Sequence, residues 1–136
     1  MDNVNLVMEA VTARKSSYSP YSSFMVGAAL LTKSGKVYRG CNIENAGYSP
    51  TNCAERTAFF KAMSEGERDF CAIAVAGWGK DQEPQQAFPC GVCRQVMREF
   101  CDPETFRILV ASDDRGGYTS HTLNEILPHG FGPDNL

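Results

Sequence analysis

Two short cysteine motifs constrain this chain more than any other feature of its sequence. Cys53 lies in the run NCAERTA, with Glu55 two residues after it, and Cys90 and Cys93 lie three residues apart in the run PCGVCR. Thiolates are favoured ligands of zinc, and a zinc site that keeps one of its four positions open is typically catalytic. The motifs therefore predict a fold that brings these three sulfurs to one centre, beside a carboxylate that does not bind the metal.

Composition limits the class of protein. The 136 residues, of which 43% are apolar, suit one globular domain spanning residues 1–136. The formal charge of −3, without a run of Lys or Arg, argues against nucleic acid or an anionic membrane as a partner. No apolar run is long enough to span a bilayer and the N-terminus lacks a signal-peptide pattern, so we expect a cytoplasmic location.

The six cysteines could instead form three disulfides. A chain of this length can be stabilised by a single core without cross-links, and nothing in the sequence marks it as secreted. In a reducing compartment, a Cys-x-x-Cys motif is more often metal-binding or redox-active than structural. The sequence therefore favours free thiols.

Apolar spacing and turn signals predict an α/β fold. The helical patterns are residues 4–15, 53–64 and 89–100, and the strand patterns are residues 24–31, 37–43, 72–76 and 106–111. Pro89 would open its helix, a position that proline favours, and Thr122 begins a capping box before a short last helix. The order α-β-β-α-β-α-β, with room for one more strand and helix, predicts a single-domain mixed β-sheet covered by helices.

The predicted positions of the cysteines favour metal binding. Cys53 and Cys90 lie at helix starts, where free N–H groups and the helix dipole lower the pKa of a thiol. Cys93 follows Cys90 on the same helix face. The two histidines, His121 and His129, have no ligand spacing with any cysteine, so we expect no fourth protein ligand. The remaining cysteines, expected to be small buried hydrophobes, are Cys41, Cys71 and Cys101.

Glu55 has two interpretations. Beside a metal-bound water, it would act as a general acid and base. Alternatively, Asn52 is the N-cap of the helix and Glu55 is the N3 residue of a capping box. Because residues two apart do not face each other on a helix, the catalytic role requires Cys53 to lie at the turn into the helix.

Arg56 follows Cys53 by three residues, a spacing that makes neighbours on a helix. A dication with three thiolates carries net negative charge, which weakens it as a Lewis acid unless positive charge lies nearby. We hypothesise that Arg56 donates a hydrogen bond to a thiolate and tunes this charge. The alternative is an exposed helix arginine with no part in the site.

With these motifs in hand, the chain resembles the small homotetrameric cytidine deaminases over most of its length. The runs that carry the resemblance are PYS at 20–22, VGAAL at 26–30, GCNIENA at 40–46, CAER at 53–56 and PCGVCRQ at 89–95. The paired cysteine motifs are specific for zinc deaminases. Asn42, Ile43 and Glu44 narrow the resemblance to enzymes that act on free nucleosides.

The resemblance implies an activity and a cofactor. The reaction would be hydrolytic deamination of cytidine and deoxycytidine to uridine and deoxyuridine, with release of ammonia, as in pyrimidine salvage. One Zn²⁺ per chain would be held by Cys53, Cys90 and Cys93. Glu55 would carry protons to N3 of the base and then to the leaving amine.

The resemblance also implies a set of substrate-binding residues. Asn42 and Glu44 would hold the ribose hydroxyls, Phe24 would line the base pocket, and Ala46 would read the base edge together with the backbone before Cys90. The full implied set is Phe24, Asn42, Glu44, Ala46, Tyr48 and Phe131. From the residues alone, the asparagine and the glutamate also fit ordinary loop polarity, and the two phenylalanines also fit core packing.

Phe131 carries an implication about assembly. The resemblance places it over the base in a neighbouring subunit's site, so the active form would be a homotetramer with shared active sites. The flanking Gly130, Gly132 and Pro133 suit a projecting tail.

Three other functions fit parts of the sequence. A related zinc deaminase could act on deoxycytidylate, a base in RNA or another nucleoside analogue, although no basic residues mark a phosphate or RNA site. A zinc-stabilised binding module without catalysis would need four protein ligands and no role for Glu55. A thiol oxidoreductase using the Cys-x-x-Cys motif would need neither Cys53 nor Glu55.

Overall fold

A computed structural model describes all residues from 1 to 136 and has the predicted order of elements with one further strand and helix. The helices are α1 Asn3–Arg14, α2 Ala54–Ser64, α3 Gly91–Phe100 and α4 Leu123–Ile126, followed by a 3-10 turn at Pro133–Asn135. The strands are β1 Phe24–Thr32, β2 Val37–Cys41, β3 Phe70–Gly79, β4 Arg107–Ala111 and β5 Tyr118–Thr122. None of the helices has the length and apolar composition needed to cross a membrane.

The five strands form one mixed sheet in the order β2-β1-β3-β4-β5. Only β3 and β4 are parallel, and α3 lies in the crossover between them. A parallel pair needs such a long connection, whereas the consecutive antiparallel pairs β1–β2 and β4–β5 are joined by turns. The predicted mixed sheet covered by helices is therefore confirmed.

Helices cover both faces of the sheet. Because strand residues alternate between faces, Ala74 and Ala76 of β3 belong to the apolar cluster under α1. Ile73 and Val75 belong to a second cluster, which packs against α2, α3 and α4. The sheet thus separates two cores, and the cysteine motifs lie on the side of the second.

Two glycines let helices approach the sheet closely. A Cβ on Gly27 of β1 would lie 2.2 Å from the backbone oxygen of Ala10 in α1. A Cβ on Gly40 of β2 would lie 2.4 Å from the backbone oxygen of Ala54 in α2. Real Cβ atoms do not make such contacts, so these positions fix how near the two helices pack. The contact of Ala54 also seats the start of α2, where Cys53 lies.

Some element boundaries differ from the predictions. Strand β2 ends at Cys41 instead of residue 43, and Ile43 makes isolated bridges with Tyr18 and Asn52. Strand β3 extends beyond the predicted 72–76, because its final residues pair with the start of β1 despite two glycines that resemble a turn signal. Pro89 is not a helical residue: α3 begins at Gly91, after an extended Cys90.

Candidate active site

Two helix N-termini bring three cysteine sulfurs together. Cys53 is the N-cap of α2, with an extended backbone at φ −75° and ψ 156°, and Cys90 is the N-cap of α3, at φ −65° and ψ 166°. Cys93 lies in the first turn of α3. The three Sγ atoms lie within 4.8 Å of one another, and those of Cys53 and Cys90 are 3.7 Å apart. Cys53 therefore lies at the turn into its helix, as the catalytic interpretation of the sequence required.

This sulfur group fits a tetrahedral zinc ion. Zinc–thiolate bonds of about 2.3 Å at tetrahedral angles place sulfurs about 3.8 Å apart, close to the separation observed for Cys53 and Cys90. All six cysteines are free thiols, and no histidine belongs to the group. Cys93 is buried, Cys53 is half-buried and Cys90 is exposed. Cys53 and Cys90 border a cavity, whereas Cys93 lies behind them in the protein interior.

Charge within the sulfur group is unevenly distributed. A hydrogen bond from the Cys93 thiol, and further ones from Arg56 and Cys90, lower the pKa of Cys53 to about 5 although burial opposes this. The pKa of Cys93 is raised because its thiol is held by Cys53 and is buried. The surroundings of Cys53 therefore favour its thiolate form.

Glu55 is a buried carboxyl beside these sulfurs. Its side chain is 4% exposed and borders the same cavity as Cys53 and Cys90. Burial raises the pKa of Glu55 to about 7, helped by the negative charge of Cys53 and opposed by Arg56 and by a backbone hydrogen bond. A carboxyl with such a pKa can both accept and release a proton at neutral pH, which suits general acid–base chemistry.

The capping-box interpretation of Glu55 is wrong. The N-cap of α2 is Cys53 rather than Asn52, so Glu55 is the second helical residue. Asn52 pairs with Ile43 in an isolated bridge, and its side chain donates to the hydroxyl of Thr57 at 3.1 Å. No reciprocal bond between Asn52 and Glu55 forms, which leaves the carboxyl free for the cavity.

Arg56 makes the contact that its spacing predicted. Its Nη2 donates to Sγ of Cys53 at 3.3 Å, whereas its buried Nε has no hydrogen-bond partner. Burial lowers the pKa of the guanidinium, but hydrogen bonds to Cys53 and Cys93 outweigh this and raise the pKa above its ordinary value. The exposed-arginine alternative is therefore wrong.

Cys53, Cys90 and Glu55 face a cavity of about 350 Å³, within the range of small-molecule sites. Its lining residues are Ser22, Phe24, Val26, Asn42, Glu44, Thr51, Asn52, Cys53, Ala54, Glu55, Val75, Ala87, Phe88 and Cys90. Three of the predicted substrate-binding residues, Phe24, Asn42 and Glu44, are brought together here. The cavity thus combines apolar walls with a few polar groups near the sulfurs.

Asn42 is tied to the start of β1. Its Nδ2 donates to the backbone oxygen of Phe24 at 2.8 Å, and its Oδ1 accepts from the backbone N–H of Val26 at 2.9 Å and from the hydroxyl of Ser17 at 2.5 Å. The amide is therefore oriented by the protein backbone, with one Nδ2 hydrogen left for another acceptor.

Glu44 is tied to the turn before β1. Its Oε1 accepts from the backbone N–H groups of Tyr21 and Ser22 at 2.9 and 3.1 Å, and its Oε2 accepts from the Ser22 hydroxyl. Burial raises the pKa of Glu44, but these hydrogen bonds more than offset it and lower the pKa below its ordinary value. The carboxylate is an ionised, oriented acceptor at the cavity edge.

The other three predicted substrate-binding residues do not reach the cavity of their own chain. Ala46 lies on an exposed loop. Tyr48 is 73% exposed and packs edge-on against Tyr21, with 6.3 Å between ring centroids, and Phe131 is 57% exposed near the C-terminus. Tyr48 lines a neighbouring depression with Glu44 and Thr51, two residues that also border the cavity, and the predicted roles of Ala46 and Tyr48 stay predictions. The predicted role of Phe131 concerns a neighbouring subunit and stays a prediction.

Several residues of the cavity wall were not predicted from the sequence. Phe88 lies just before the second cysteine motif, and its ring contacts His121 at 5.0 Å between centroids. Val26 and Val75 reach the cavity from the central strands, and Ala87 packs beside them. An apolar residue next to a ligand motif was a usable signal for Phe88. Which face of a buried strand meets a cavity depends on tertiary packing.

Known proteins resemble this chain along its whole length. The family model for the cytidine and deoxycytidylate deaminase zinc-binding region matches residues 1–109. A cytidine deaminase from Halalkalibacterium halodurans is 51% identical over 136 residues, which cover 100% of this chain and 98% of that protein. A cytidine deaminase from Sporosarcina psychrophila is 48% identical, over 100% of this chain and 96% of that protein.

Solved structures give the same result. A crystal structure of cytidine deaminase from Burkholderia pseudomallei superposes with a TM-score of 0.86 at 44% identity, covering 96% of this chain and 100% of that one. A crystal structure of cytidine deaminase from Mycobacterium tuberculosis gives a TM-score of 0.77 at 34% identity, covering 97% and 99% of the two chains. With its sulfur group and buried carboxyl in one cavity, the chain belongs to the zinc-binding cytidine deaminase family.

Proposed function

We propose that this protein hydrolyses cytidine and deoxycytidine to uridine and deoxyuridine and releases ammonia. The observation that carries the proposal is the position of Glu55, a buried carboxyl with a pKa near 7, in the same cavity as two sulfurs of a three-cysteine group spaced for zinc. Cys53, Cys90 and Cys93 would hold one zinc ion per chain. When bound, zinc supplies Lewis acidity that makes a water molecule easier to deprotonate.

Glu55 is the proton carrier in this proposal. Water adds to C4 of the base and loses a proton, which Glu55 accepts and delivers to N3. The hydroxyl on C4 then gives up its proton as the C4 carbonyl forms, and Glu55 passes a proton to the exocyclic amine. The C4–N bond breaks, ammonia leaves and the uracil base remains. A pKa near 7 suits both directions of transfer at neutral pH.

The cavity walls hold the nucleoside. Phe24, Val26 and Phe88 offer apolar surface to the planar base and keep water from it. The remaining hydrogen of the Asn42 amide and the ionised Glu44 carboxylate offer a donor and an acceptor to the ribose hydroxyls. The hydrogen bonds that already orient these two groups reduce the entropy lost when a sugar binds.

Arg56 offsets charge at the metal centre. Three thiolates outweigh a dication, and excess negative charge makes a bound water harder to deprotonate. The hydrogen bond from Arg56 to Cys53 withdraws charge from one sulfur. We therefore assign Arg56 a charge-tuning role and no contact with substrate.

We extend the proposal to assembly as a homotetramer with shared sites, acting in pyrimidine salvage in the cytoplasm. The exposure of Phe131 and Tyr48, two large aromatic side chains, supports it, since such residues are enriched at interfaces. Ala46 lies on the same exposed loop as Tyr48 and would meet a neighbouring subunit. Sedimentation of the zinc-loaded protein tests this assembly, and a monomer with full activity would contradict shared sites.

The activity is tested by metal analysis together with ammonia release from cytidine, deoxycytidine and deoxycytidylate. We expect about one zinc per chain and turnover of the two nucleosides but little turnover of the nucleotide. Zinc without ammonia from any of the three would favour a binding module. Turnover of deoxycytidylate alone would correct the substrate.

A further inference from the structure

Arg14, the last residue of α1, is a charged side chain that the proposed chemistry does not use. It forms no ion pair with a carboxylate. Its Nε donates to the backbone oxygen of Met25 at 3.1 Å, and its Nη2 donates to those of Trp78 and Gly79 at 2.8 and 3.1 Å. One guanidinium thus bonds the first residues of β1 and the last residues of β3.

Trp78 holds this guanidinium from a second direction. The Arg14 Cζ lies 4.3 Å from the centroid of the Trp78 ring, within the range of a cation–π contact. The tryptophan is itself buried, and it is the only one in the chain. The missing Cβ of Gly27 lets the backbone of Arg14 lie against β1, because an added Cβ would be 2.2 Å from the Arg14 nitrogen. The arginine is therefore fixed through both its backbone and its side chain.

The strand ends that it bonds are the backbone of the cavity wall. Phe24 pairs with Gly79 and Met25 pairs with Trp78 in the antiparallel ladder of β1 and β3. Strand residues alternate between faces, so Met25 and Trp78 turn toward α1 while Phe24 and Val26 line the cavity. The guanidinium and the proposed base site are separated only by the thickness of the sheet.

The first three residues of β1, Phe24 to Val26, are also bonded by Asn42. Asn42 bonds the backbone oxygen of Phe24 and the backbone N–H of Val26, while Arg14 bonds the intervening oxygen of Met25. Three successive residues are thus tied by two side chains that approach from different elements. An apolar residue at position 14 could fill space there but could not form these bonds.

The contacts of Arg14 also reach the loop that connects β3 to the second cysteine motif. This loop leaves β3 at Gly79, which Arg14 bonds, and its last residues, Ala87 and Phe88, line the cavity. A Cβ on Gly77 would lie 2.9 Å from the Cβ of Ala87 and 3.3 Å from the ring of Phe24. Gly77 near the end of β3, Ala87 of the loop and Phe24 are therefore packed so closely that a methyl group would not fit between them.

We propose that Arg14 is a positioning residue of the active site, which clamps the ends of β1 and β3 and thereby sets where Phe24 and Ala87 stand around the base. The inference rests on the proposed function only in that the cavity takes a pyrimidine nucleoside. The planar guanidinium of arginine can donate hydrogen bonds to two strands at once from separate nitrogens, whereas lysine donates from a single nitrogen. The residue acts through backbone and touches no reacting atom.

The experiment compares Arg14→Met and Arg14→Lys with the parent and with a control, Arg39→Met. Arg39 is half-exposed on β2 and pairs with Glu9 of α1, so its loss removes an arginine from the same helix–sheet region without touching the clamped strand ends. Zinc content, Tm, kcat and KM for cytidine are measured below the lowest Tm. We expect the KM of Arg14→Met to rise roughly tenfold with kcat within about threefold, because the apolar wall contributes to uniform binding.

Arg14→Lys should lie between the parent and Arg14→Met, and Arg39→Met should match the parent. If Arg14→Met does not fold, Arg14→Lys carries the comparison. A lower Tm with unchanged KM would reduce Arg14 to a stability role and overturn the inference. The double variant Arg14→Met with Phe24→Leu adds a coupling test: we expect its loss in kcat/KM to be smaller than the product of the single losses. Losses that multiply would show that Arg14 does not act through Phe24.

Amide hydrogen exchange separates this inference from the proposed function. In Arg14→Met, we expect faster exchange in peptides covering residues 22–28 and 77–88, and no change there in Arg39→Met. If the parent releases no ammonia from cytidine, the proposed function fails while the exchange result still decides the inference. Unchanged exchange in both segments would overturn it.

Discussion

The two faces of the central sheet are built from the same strands but meet different demands. The face under α1 is filled mainly by alanine, leucine and valine side chains together with Trp78, and its charged side chain, Arg14, bonds backbone oxygens and lines no part of the cavity. The opposite face continues the apolar core but ends in a cavity with Glu55 and the cysteine sulfurs. Neighbouring residues can therefore have different roles: Ala74 packs under α1, whereas Val75 lines the cavity. Substitutions of the apolar side chains under α1 should alter stability, and substitutions at the cavity should alter turnover.

Glu55→Gln is expected to give the largest effect and to change activity alone. Glutamine keeps the size of the side chain but cannot carry a proton, so kcat should fall about 10³-fold. Since the charged form of Glu55 is disfavoured by burial, the neutral amide should leave Tm nearly unchanged or higher. Glu65→Gln, at the exposed C-terminus of the same helix, is the control. A Gln variant with parental kcat would remove Glu55 from the proton path.

Gly27→Ala is expected to lower stability, the property that Glu55→Gln leaves nearly unchanged. The new methyl would lie 2.2 Å from the Ala10 oxygen, so α1 must shift, at a cost of about 3 kcal/mol in the free energy of unfolding. Gly91→Ala is the matched control, because a Cβ there meets nothing within 4 Å and alanine is the better helix former. Urea unfolding measures both. Equal stability of the two variants would show that α1 is loosely packed.

Arg56→Gln should have an intermediate effect confined to the cavity face. Removing the donor to Cys53 leaves more negative charge at the centre, so we expect kcat to fall roughly tenfold. Because Arg56 lowers the pKa of Glu55, the limb of the pH–rate profile that reports Glu55 should move to higher pH. Zinc content measured in parallel excludes simple metal loss. An unshifted profile with a parental rate would contradict charge tuning.

Arg39→Met should have the smallest effect. Its ion pair with Glu9 joins β2 to α1 across side chains that are 49% and 28% exposed. Exposed pairs are screened by solvent and contribute less than about 1 kcal/mol. Thermal unfolding at low and high salt would show a small difference that salt removes. A larger, salt-independent loss would mean that this edge of the α1 face depends on the pair.

Local signals in the sequence were sufficient for much of the fold and the metal site. Thiol spacing and helix starts predicted each cysteine motif separately, because each is set within one turn of a helix, and the ligand chemistry of zinc predicted that Cys53 would join Cys90 and Cys93. Apolar runs predicted the two central strands, since both are buried on each face. Arg56 could be placed for the same reason, as its partner is three residues away.

Features that depend on distant segments could not be predicted. The bonds of Asn42 to Phe24 and Val26 join residues separated by about one strand and a hairpin, and nothing local to Asn42 marks them. The sequence allows β5 only as a possible further strand, because β5 is a short, polar edge strand whose pattern is weak. The role of Glu55 was ambiguous because a glutamate can serve either in a capping box or in acid–base catalysis. The two roles are distinguished by the extended backbone of Cys53, which makes Cys53 the N-cap in place of Asn52.

The separation of Cys53 and Cys90 along the chain has a consequence for unfolding. These residues are 37 positions apart, and the segment between them contains α2 and β3. An ion bound to both sulfurs would close this segment into a loop. In the chain-entropy treatment of cross-links, such a loop lowers the conformational entropy of the denatured state by an amount worth about 4 kcal/mol. The metal ion that suits the chemistry would therefore also act as a cross-link. Its removal by a chelator should promote unfolding of the segment between Cys53 and Cys90 before either terminus unfolds.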